Sequence, residues 1–496
     1  MLDVPELRVR AVNAAPVHTG RDYVLYWMIA ARRSTWNFAL DRAAEYAQTL
    51  GKPLLVFEPL EVDYPWASAR LHRFVIDGMR DNAAAFRDTP VTYFPYVEPR
   101  PGAARGLLET LARSACVVVT DDFPSFFLPR IVAAAGARLD VRLEAIDSNG
   151  LIPMAAPDKV FTAAAFFRRY VQKNLVEHLK HVPRAMPLVA LPSLGAVPTW
   201  ITDTWAPASD ALLNGDPSAL AQLPIDHAVA PTAMRGGSRA AADALQSFVA
   251  NKLLRYSDLH NEPEVDATSR LSPYLHFGHV SAHQVFDRVM GAEGWSMRRV
   301  EGKPVTGARE GWWGVSPSTE RYLDQLIVWR ELGYNMCAKR PDDYDTYESL
   351  PEWARATLAK HASDPRPYTY DAATLENATT ADPLWNAAQN QLRQDGWMHN
   401  YLRMLWGKKI LEWSPTPQEA LDRMTTIMNR WALDGRNPNS YSGYFWTLGR
   451  YDRPWPERPV FGTIRAMSSI NTAKKISVKN FIAQYNQAAS QRNLPL

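Results

Sequence analysis

The first half of the sequence is constrained by a regular alternation of short apolar runs with longer amphipathic stretches. The runs lie at 23–29, 53–58, 90–96, 115–119 and 141–146, and most of their residues are β-branched, aromatic or leucine. Runs of this length and composition are typical of buried β-strands. The stretches at 35–50, 68–87, 104–113 and 125–136 have helical spacing. Strands that alternate with helices predict a parallel sheet covered on both faces, in an α/β Rossmann-like domain.

The predicted sheet lacks the motifs of the common nucleotide-binding sites. Parallel sheets bind ligands beyond the carboxyl ends of their strands, yet the sequence contains neither GxGxxG nor GxxxxGK[ST]. An ordinary dinucleotide site or P-loop is therefore not supported. Cys116 and Cys337 are the only cysteines, which excludes a disulfide framework and a cysteine-based zinc site and is typical of a reducing compartment. The scattered histidines show no metal-ligand spacing.

Charge and hydropathy narrow the set of partners. The formal net charge is only +3, so a nucleic-acid partner requires a local basic patch. The first residues lack the apolar core of a signal peptide, and no apolar run reaches the roughly 18 residues that a membrane helix needs. We therefore expect a cytoplasmic protein with no membrane partner, and we expect it to act as a monomer.

Composition changes twice along the chain and divides it into three parts. Residues 183–235 are rich in proline and small residues, which predicts an extended connector with one or two short helices. The glycine-rich segment 302–316 predicts a loop within the third part. We predict an α/β domain at 20–182, a linker at 183–235 and an all-α domain at 236–480. Helical periodicity in the last of these lies at 238–255, 280–291, 318–336, 351–361, 384–395, 397–412 and 416–432.

Tryptophans are concentrated in the predicted helical domain. Of the 17 tryptophans, 12 follow residue 290 and seven lie within 384–455. Trp406 and Trp413 are seven residues apart, so they share one helix face about 10 Å apart along the axis. Large aromatic side chains usually fill a core, but at this spacing they can also relay electrons. The spacing alone leaves both interpretations open.

Two segments with polar residues also have two interpretations each. The segment 268–272, TSRLS, precedes a Ser-Pro helix start, where hydroxyls and main-chain amides suit an anion. The same residues can form an ordinary helix cap and turn. The helix predicted at 322–337 either brings polar and apolar groups together at a site or is a core helix with Arg330 and Glu331 exposed.

Arg403 and Asp434 are candidates for a buried ion pair, although they lie 31 residues apart. Burying a charge is costly unless the charge is paired or contacts a charged ligand. A surface location is the simpler expectation for an arginine and an aspartate that nothing else connects.

The segment 447–479 contains seven basic and two acidic residues. Such a segment either is a solvated face or forms a strip that contacts the phosphates of a nucleic-acid backbone. The residues assigned to the strip in the second interpretation are Arg450, Arg453, Arg458, Arg465, Lys474 and Lys475.

Several segments occur in one order, namely TSRLSPYLHFG, WREL, LWNAAQ, GWMHNYLRMLWGKKILEW, LDGRNPNSYSG and ERPVFGTIRAM. In this order they closely resemble the photolyase/cryptochrome flavoproteins, and specifically the class II cyclobutane pyrimidine dimer photolyases. The resemblance covers residues 20–480 and is looser in the N-terminal half. It implies an α/β domain, a linker and an all-α FAD-binding domain. It leaves three options for an antenna chromophore in the α/β domain, namely a deazaflavin, a folate or none.

The resemblance implies roles for individual residues, with DNA containing pyrimidine dimers as the partner. The catalytic residues would be Gln325, Trp329, Met404, Met428 and Trp446, and electrons would pass along Trp385, Trp406 and Trp413. Arg403 and Asp434 would be paired beside the flavin. The full set of FAD-binding residues would be Tyr256, Thr268, Ser269, Arg270, Leu271, Ser272, Gln325, Arg330, Asn400, Arg403, Asp434 and Asn439.

Light-driven repair is the implied activity, and the cofactor supplies its chemistry. In the family reaction, photoexcited reduced FAD donates one electron to a dimer that has left the DNA stack, and the electron returns after the cyclobutane bonds split. Three residues depart from the family pattern, because Gln325 replaces a glutamate, Met428 replaces an asparagine near the flavin, and Asn437 replaces an aspartate. These departures support an alternative, a repair-impaired blue-light photoreceptor or a flavoprotein with another task. The dimer-contacting set and the basic segment favour repair.

Overall fold

The computed structural model of the chain describes residues 4–188 and 191–492. The described residues form two compact units. The first unit contains those up to Asp158 together with Lys173–Gln246 and Arg270–Gly294, and the second contains Lys159–Gln172, Ser247–Ser269 and those from Trp295 onward. The units are defined by contacts in space, whereas the limits inferred from composition follow the chain, and those domain limits stay a prediction.

A six-stranded sheet forms the centre of the first unit, in the order β1-β6-β5-β2-β3-β4. Every neighbouring pair is parallel except β1 and β6, which are antiparallel. The five predicted strands are confirmed, and β1 was missed because it is short and largely exposed. The strands are β1 Val9–Ala11, β2 Tyr23–Trp27, β3 Leu54–Leu60, β4 Thr92–Val97, β5 Ala115–Asp121 and β6 Leu143–Ile146.

Helices make up most of the remaining regular structure. In chain order they are α1 Phe38–Leu50, α2 Ala69–Phe86, α3 Leu107–Arg113, α4 Leu128–Arg138, α5 Ala164–His178, α6 Thr199–Thr202, α7 Asp210–Leu213, α8 Pro217–Ala221, α9 Ser238–Asn251, α10 Tyr256–Leu259, α11 Ser272–His276, α12 Ala282–Ala292, α13 Pro317–Leu323, α14 Arg330–Lys339, α15 Glu352–Lys360, α16 Ala372–Glu376, α17 Pro383–Asp395, α18 Asn400–Trp413, α19 Pro417–Trp431, α20 Pro438–Thr447, α21 Ser469–Lys475 and α22 Lys479–Arg492. A π-helical segment occupies Asp324–Trp329, and 3-10 turns occupy Glu6–Arg8, Leu253–Arg255, Met297–Arg299 and Tyr347–Ser349.

Helices cover both faces of the sheet, as the alternating pattern predicts. Leu25 and Trp27 of β2 pack with residues of α3 and α4 in one apolar cluster. Val24 and Tyr26 of the same strand pack with residues of α1 in another. The split follows from strand geometry, because successive side chains point to opposite faces. The predicted α/β class is confirmed.

The predicted linker contains three short helices, α6, α7 and α8, rather than one or two. It packs within the first unit, where Trp205 Nε1 donates to the Ala103 carbonyl at 2.9 Å and Arg73 Nη1 donates to the Leu212 carbonyl at 3.1 Å. Residues 189 and 190 of the linker lie outside the described residues.

The described part of the second unit contains helices and no β-strand, as predicted for this half of the chain. Helix α18 packs against α17, α19 and α20. Gly407 permits the close approach of α18 to α20, because a Cβ at this position would lie 2.5 Å from Thr447 Cγ2. The predicted loop at 302–316 is present and contains no regular structure. None of the described helices combines the length and apolar character needed to cross a bilayer.

Candidate functional site

Three tryptophans of the second unit pack together around Trp385. The Asp382 carboxylate accepts a hydrogen bond from the Trp385 main-chain N–H at 3.1 Å and begins α17 at this point. The Trp385 ring is parallel to that of Trp406, with centroids 6.4 Å apart, and meets Trp413 edge-on at 5.5 Å. The three side chains are at most 2% exposed. The tryptophan from α17 therefore joins two rings of α18 that helical spacing alone keeps apart.

Two tyrosines that the sequence analysis did not single out continue this aromatic run. Tyr370 meets Trp413 edge-on with centroids 5.2 Å apart, and Tyr368 stacks on Tyr370 at 5.7 Å. Tyr368 is 53% exposed, so the run ends in solvent. The available signal was the Tyr-Thr-Tyr spacing, because residues two apart in an extended segment lie on one side.

Arg403 and Asp434 form the predicted ion pair. Arg403 Nη2 donates to both carboxylate oxygens of Asp434, at 3.1 and 3.2 Å. The side chains are 16% and 7% exposed, so the surface location that we considered the simpler expectation is wrong. Arg403 Nε is buried and has no hydrogen-bond partner among the described residues. This buried N–H is therefore a free donor next to a charge pair.

Arg330 is a second buried cation with a free donor. It is 6% exposed and its neighbour Glu331 is 3% exposed, so the interpretation of this helix with both residues exposed is wrong. Arg330 Nη2 donates to the Tyr334 hydroxyl at 3.2 Å, and its guanidinium lies 4.5 Å from the centre of that ring. The buried Nη1 has no partner in the described part of the chain.

Gln325 and Trp329 lie in the π-helical segment Asp324–Trp329, which interrupts the continuous helix predicted at 318–336. Both side chains are half-buried. The segment is held by Arg168, whose Nε donates to Asp324 at 2.7 Å. π-Helical turns inside α-helices occur frequently at functional sites. No feature of the sequence pattern signals this turn, because it depends on an ion pair with a residue far away in the chain.

Residues of the TSRLS segment belong to different units. Thr268 and Ser269 are half-buried in the second unit, where Ser269 hydrogen bonds to Tyr322. Tyr256 lies edge-on to Tyr322 at 5.4 Å, and its complete burial raises its pKa well above the ordinary value. This part of the predicted phosphate site is therefore lined with hydroxyl groups.

The remaining three residues of the segment lie in the first unit. Arg270 is exposed and adopts a left-handed φ of 52°. Leu271 is buried, and Ser272 begins helix α11, which has only five residues. A helix this short has only a small dipole to attract an anion.

The predicted lesion-contacting residues differ in burial. Met404 and Trp446 are half-buried, whereas Met428 is 0% exposed. Of the predicted flavin contacts at helix starts, Asn400 and Asn439 are exposed.

Lys408 lies against Trp446 and was missed in the sequence. Its Nζ is 4.8 Å from the centre of the Trp446 ring and donates to the Thr447 carbonyl at 2.7 Å. The side chain is 0% exposed, and this burial lowers its pKa to about 7. No sequence pattern distinguishes Lys408 from the neighbouring Lys409, which has the same residue type and stays partly exposed.

The basic segment at 447–479 is mostly at the surface. Arg453, Arg458, Lys474 and Lys475 are exposed, and Arg465 is half-buried in a salt bridge with Asp452.

Arg450 is the exception, and its assignment to a DNA-contacting strip is wrong. It is 4% exposed, donates to the Tyr344 carbonyl and Ser349 Oγ, and lies over the Phe445 ring. A guanidinium enclosed in this way has no surface to offer a phosphate.

The combination of an α/β unit and a helical unit in one chain occurs in a known fold. A solved class III photolyase from Agrobacterium tumefaciens superposes on the chain with a TM-score of 0.66. The match covers 94% of this chain and 86% of the other at 16% sequence identity, so it establishes the fold alone. No protein-family model matches the sequence.

Curated relatives define the family more closely, and each of the following is named deoxyribodipyrimidine photo-lyase. The protein of Methanothermobacter thermautotrophicus is 33% identical over 476 residues, covering 96% of this chain and 97% of its own length. That of Oryza sativa is 33% identical over 505 residues (98% and 91%), and that of Arabidopsis thaliana is 31% identical over 477 residues (94% and 89%). The chain belongs to the photolyase/cryptochrome family. The predicted family and enzyme class, a photolyase-like lyase, are confirmed.

Proposed function

We propose that the protein is an FAD-dependent photolyase that uses light to split cyclobutane pyrimidine dimers in DNA. The observation that carries the proposal is the continuous run of rings from Trp406 through Trp385 and Trp413 to Tyr370 and Tyr368. It connects a side chain that is 1% exposed with one that is 53% exposed. Core packing does not require a run of rings to reach solvent, whereas the supply of electrons to an internal cofactor does.

The buried cations of the second unit fit a flavin. The photolyase family generally binds FAD, and a flavin ring presents carbonyl and ring-nitrogen acceptors. The free N–H groups of Arg403 and Arg330 are donors for such acceptors, and an unsatisfied buried donor is costly without one. Asp434 holds the Arg403 guanidinium in place. We assign the members of the predicted FAD set that lie in the second unit, Tyr256 and Thr268 among them, to the same cofactor.

Reduced FAD, when bound and excited by light, supplies the electron that opens the cyclobutane ring. The protein contributes binding, orientation and the exclusion of water. Trp329, Met404 and Trp446 are half-buried, so part of each side chain packs inside the protein and part is accessible to a ligand. We assign them to the contact with a flipped-out dimer, which must leave the helical stack to reach a buried cofactor.

The three departures from the family pattern concern the chemistry of dimer repair and not the fold. Met428 is fully buried, and a thioether is a poor hydrogen-bond partner. The neighbouring Asn429 retains an amide donor, because its Oδ1 accepts from the Arg436 main-chain N–H at 2.8 Å while its buried Nδ2 has no hydrogen-bond partner among the described residues. Asn437 caps helix α20 and donates weakly to Tyr334. We infer that the FAD pocket is preserved and that Gln325 and Met428 change the rate of repair rather than the reaction.

Illumination of the reduced protein with an oligonucleotide carrying one thymine dimer tests the proposal. We expect loss of the dimer in light and none in darkness. Lack of turnover in the wild-type protein, with recovery in the double variant Gln325→Glu/Met428→Asn, would contradict repair and support the repair-impaired alternative. A purified protein without a flavin absorption band would contradict both.

A further inference from the structure

Lys408 is a buried cation that the proposed reaction does not use. It lies in the middle of α18, is 0% exposed and has one hydrogen-bond acceptor among the described residues, the Thr447 carbonyl. Its Nζ lies over the Trp446 ring at 4.8 Å, within the distance at which a cation is attracted to an aromatic face. The lysine therefore contacts the indole of one residue and the main chain of the next.

This lysine is costly to bury. Removal of an ammonium from water disfavours its charged form, and Lys408 keeps one protein hydrogen bond where water would offer three. The charged groups that act on it are Asp452, which favours the cation, and Arg465, which opposes it. A methionine would fill a similar volume without the loss of hydration, so packing does not explain why a lysine is present.

The helix packing directs the ammonium to this place. Gly407 brings α18 against α20 at Thr447, which is the last residue of α20. The carbonyl ends of a helix carry partial negative charge and attract a cation. Lys408 follows Gly407, so its side chain meets both the end of α20 and the Trp446 indole.

We propose that Lys408 is a positioning residue for lesion recognition, which fixes the Trp446 indole in the orientation that receives a flipped-out pyrimidine dimer. The inference rests on the proposed function, because it takes Trp446 as a dimer contact. Trp446 is half-buried, so a fixed orientation prepares its accessible part for the dimer before DNA binds. Preorganisation of this kind improves binding by lowering the entropy lost on association.

Equilibrium binding in darkness tests the inference. Two duplex oligonucleotides of one sequence, with and without a single thymine dimer, are titrated with wild-type protein and with Lys408→Met, Lys408→Arg and Trp446→Phe. The matched control is Lys409→Met, because Lys409 lies in the same helix with its Nζ 5.1 Å from a different ring, that of Trp413. The measured quantity is the ratio of the two affinities between pH 6 and pH 9. Thermal unfolding of each variant confirms that it is folded.

We expect Lys408→Met to reduce the preference for the dimer about five-fold at pH 6, with unchanged affinity for undamaged DNA. Lys408→Arg should restore most of the preference. The wild-type preference should fall as pH rises through about 7, where Lys408 loses its proton, and the preference of Lys408→Met should be flat.

A normal preference in Lys408→Met at pH 6, together with its loss in Trp446→Phe, would overturn the inference and leave the proposed function intact. The absence of any preference in the wild-type protein would overturn the proposed function and the role of Lys408 with it.

Discussion

Three positively charged residues near the proposed sites of the second unit have buried side chains. Arg330, Arg403 and Lys408 are each shielded from solvent, and each contacts an aromatic ring or a carboxylate. Burying an ionised group is unfavourable unless a partner compensates for the lost hydration. Arg403 has a carboxylate partner in Asp434, whereas Arg330 and Lys408 each have a neutral hydrogen-bond acceptor and an aromatic ring among the described residues. These differences predict different consequences when each charge is removed.

Removal of the Arg403 guanidinium should release the cofactor. We expect Arg403→Ala to lower the flavin-to-protein ratio several-fold and to destabilise the fold by about 3 kcal/mol, since Asp434 then stays buried without its partner. The matched control is Arg423→Ala, because Arg423 is 15% exposed and bonds Glu419 at 3.1 Å, but that glutamate is 45% exposed. Full flavin occupancy in Arg403→Ala, measured by absorbance after purification, would contradict the assigned pocket.

Removal of the Lys408 charge should stabilise the fold in a pH-dependent way. Burial lowers the pKa of Lys408 from 10.5 to about 7, so the unfolded chain binds the proton more tightly than the folded one. The destabilisation is complete below pH 7 and is relieved as pH rises toward 10.5. Lys408→Met should therefore show a higher urea midpoint than the wild-type protein at pH 6, with a smaller difference at pH 9. An equal difference at both values would contradict the burial of a cation, and Lys409→Met serves as the control.

The sequence analysis predicted the environment of some of these charged residues and missed that of others. The pairing of Arg403 with Asp434 followed from the family resemblance, whereas the residues alone favoured a surface location for both. The burial of Arg330 and Lys408 followed from neither, because a helical periodicity marks an apolar face but does not reveal how far a long cationic side chain reaches beneath it. The assignment of Arg450 to the basic strip was wrong for the same reason, because we expected an arginine in a basic segment to be exposed.

At the scale of elements, helices α17, α18 and α20 position the site. The sequence predicted α17 and α18 within a few residues of their observed ends, because proline, aspartate and glycine mark their limits. It placed Trp406 and Trp413 on one face but did not place Trp385 between them, because contacts between helices are not encoded in the periodicity of either. The π-helical turn at Asp324–Trp329 depends on tertiary contacts in the same way.

Interruption of the aromatic run should block electron supply without loss of the cofactor. Trp385 contacts both neighbouring tryptophans, so Trp385→Phe should reduce the rate of flavin photoreduction to the background level at an unchanged flavin content. Trp431→Phe is the matched control, because Trp431 is also buried but packs on Arg393 and Arg430 outside the run. Transient absorption after a light pulse measures the rate, and an unaffected rate in Trp385→Phe would exclude this path.

The close approach of α18 to α20 predicts opposite effects of two glycine substitutions. Gly407→Ala places a methyl group 2.5 Å from Thr447 Cγ2 and should destabilise the protein by about 1–3 kcal/mol. Gly443→Ala lies within α20 with nothing within 4 Å and should stabilise it by up to about 1 kcal/mol. Urea denaturation measures both changes. Equal effects of the two substitutions would show that backbone entropy, rather than helix contact, determines the result.

At the scale of the whole molecule, a nearly balanced charge is combined with a local basic strip. The formal net charge of +3 gives the protein little general attraction for DNA. Arg453, Arg458, Lys474 and Lys475 nevertheless stay exposed within one segment of the second unit. The sequence predicted the fold class and the family from the order of its motifs. It indicated the basic strip only through its composition, because the exposure of each basic residue depends on the tertiary structure.

Neutralisation of the strip should weaken DNA binding through lost phosphate contacts rather than through a change of total charge. We expect the triple variant Arg458→Ala/Lys474→Ala/Lys475→Ala to bind damaged and undamaged DNA more weakly by the same factor. The slope of log affinity against log salt should fall by about 2.7, which is about 0.9 for each lost phosphate contact. Cofactor content and photoreduction should not change.

The control for this variant removes the same charge from the first unit. Arg105→Ala/Arg113→Ala/Arg130→Ala also lowers the formal net charge from +3 to 0, and all three arginines are exposed. If the strip contacts phosphates, this control keeps the wild-type affinity and salt slope. If both triple variants lose affinity equally, the attraction is a property of total charge, and the basic segment is an ordinary solvated surface. Titrations at several salt concentrations separate the two cases because only direct contacts release counterions from DNA.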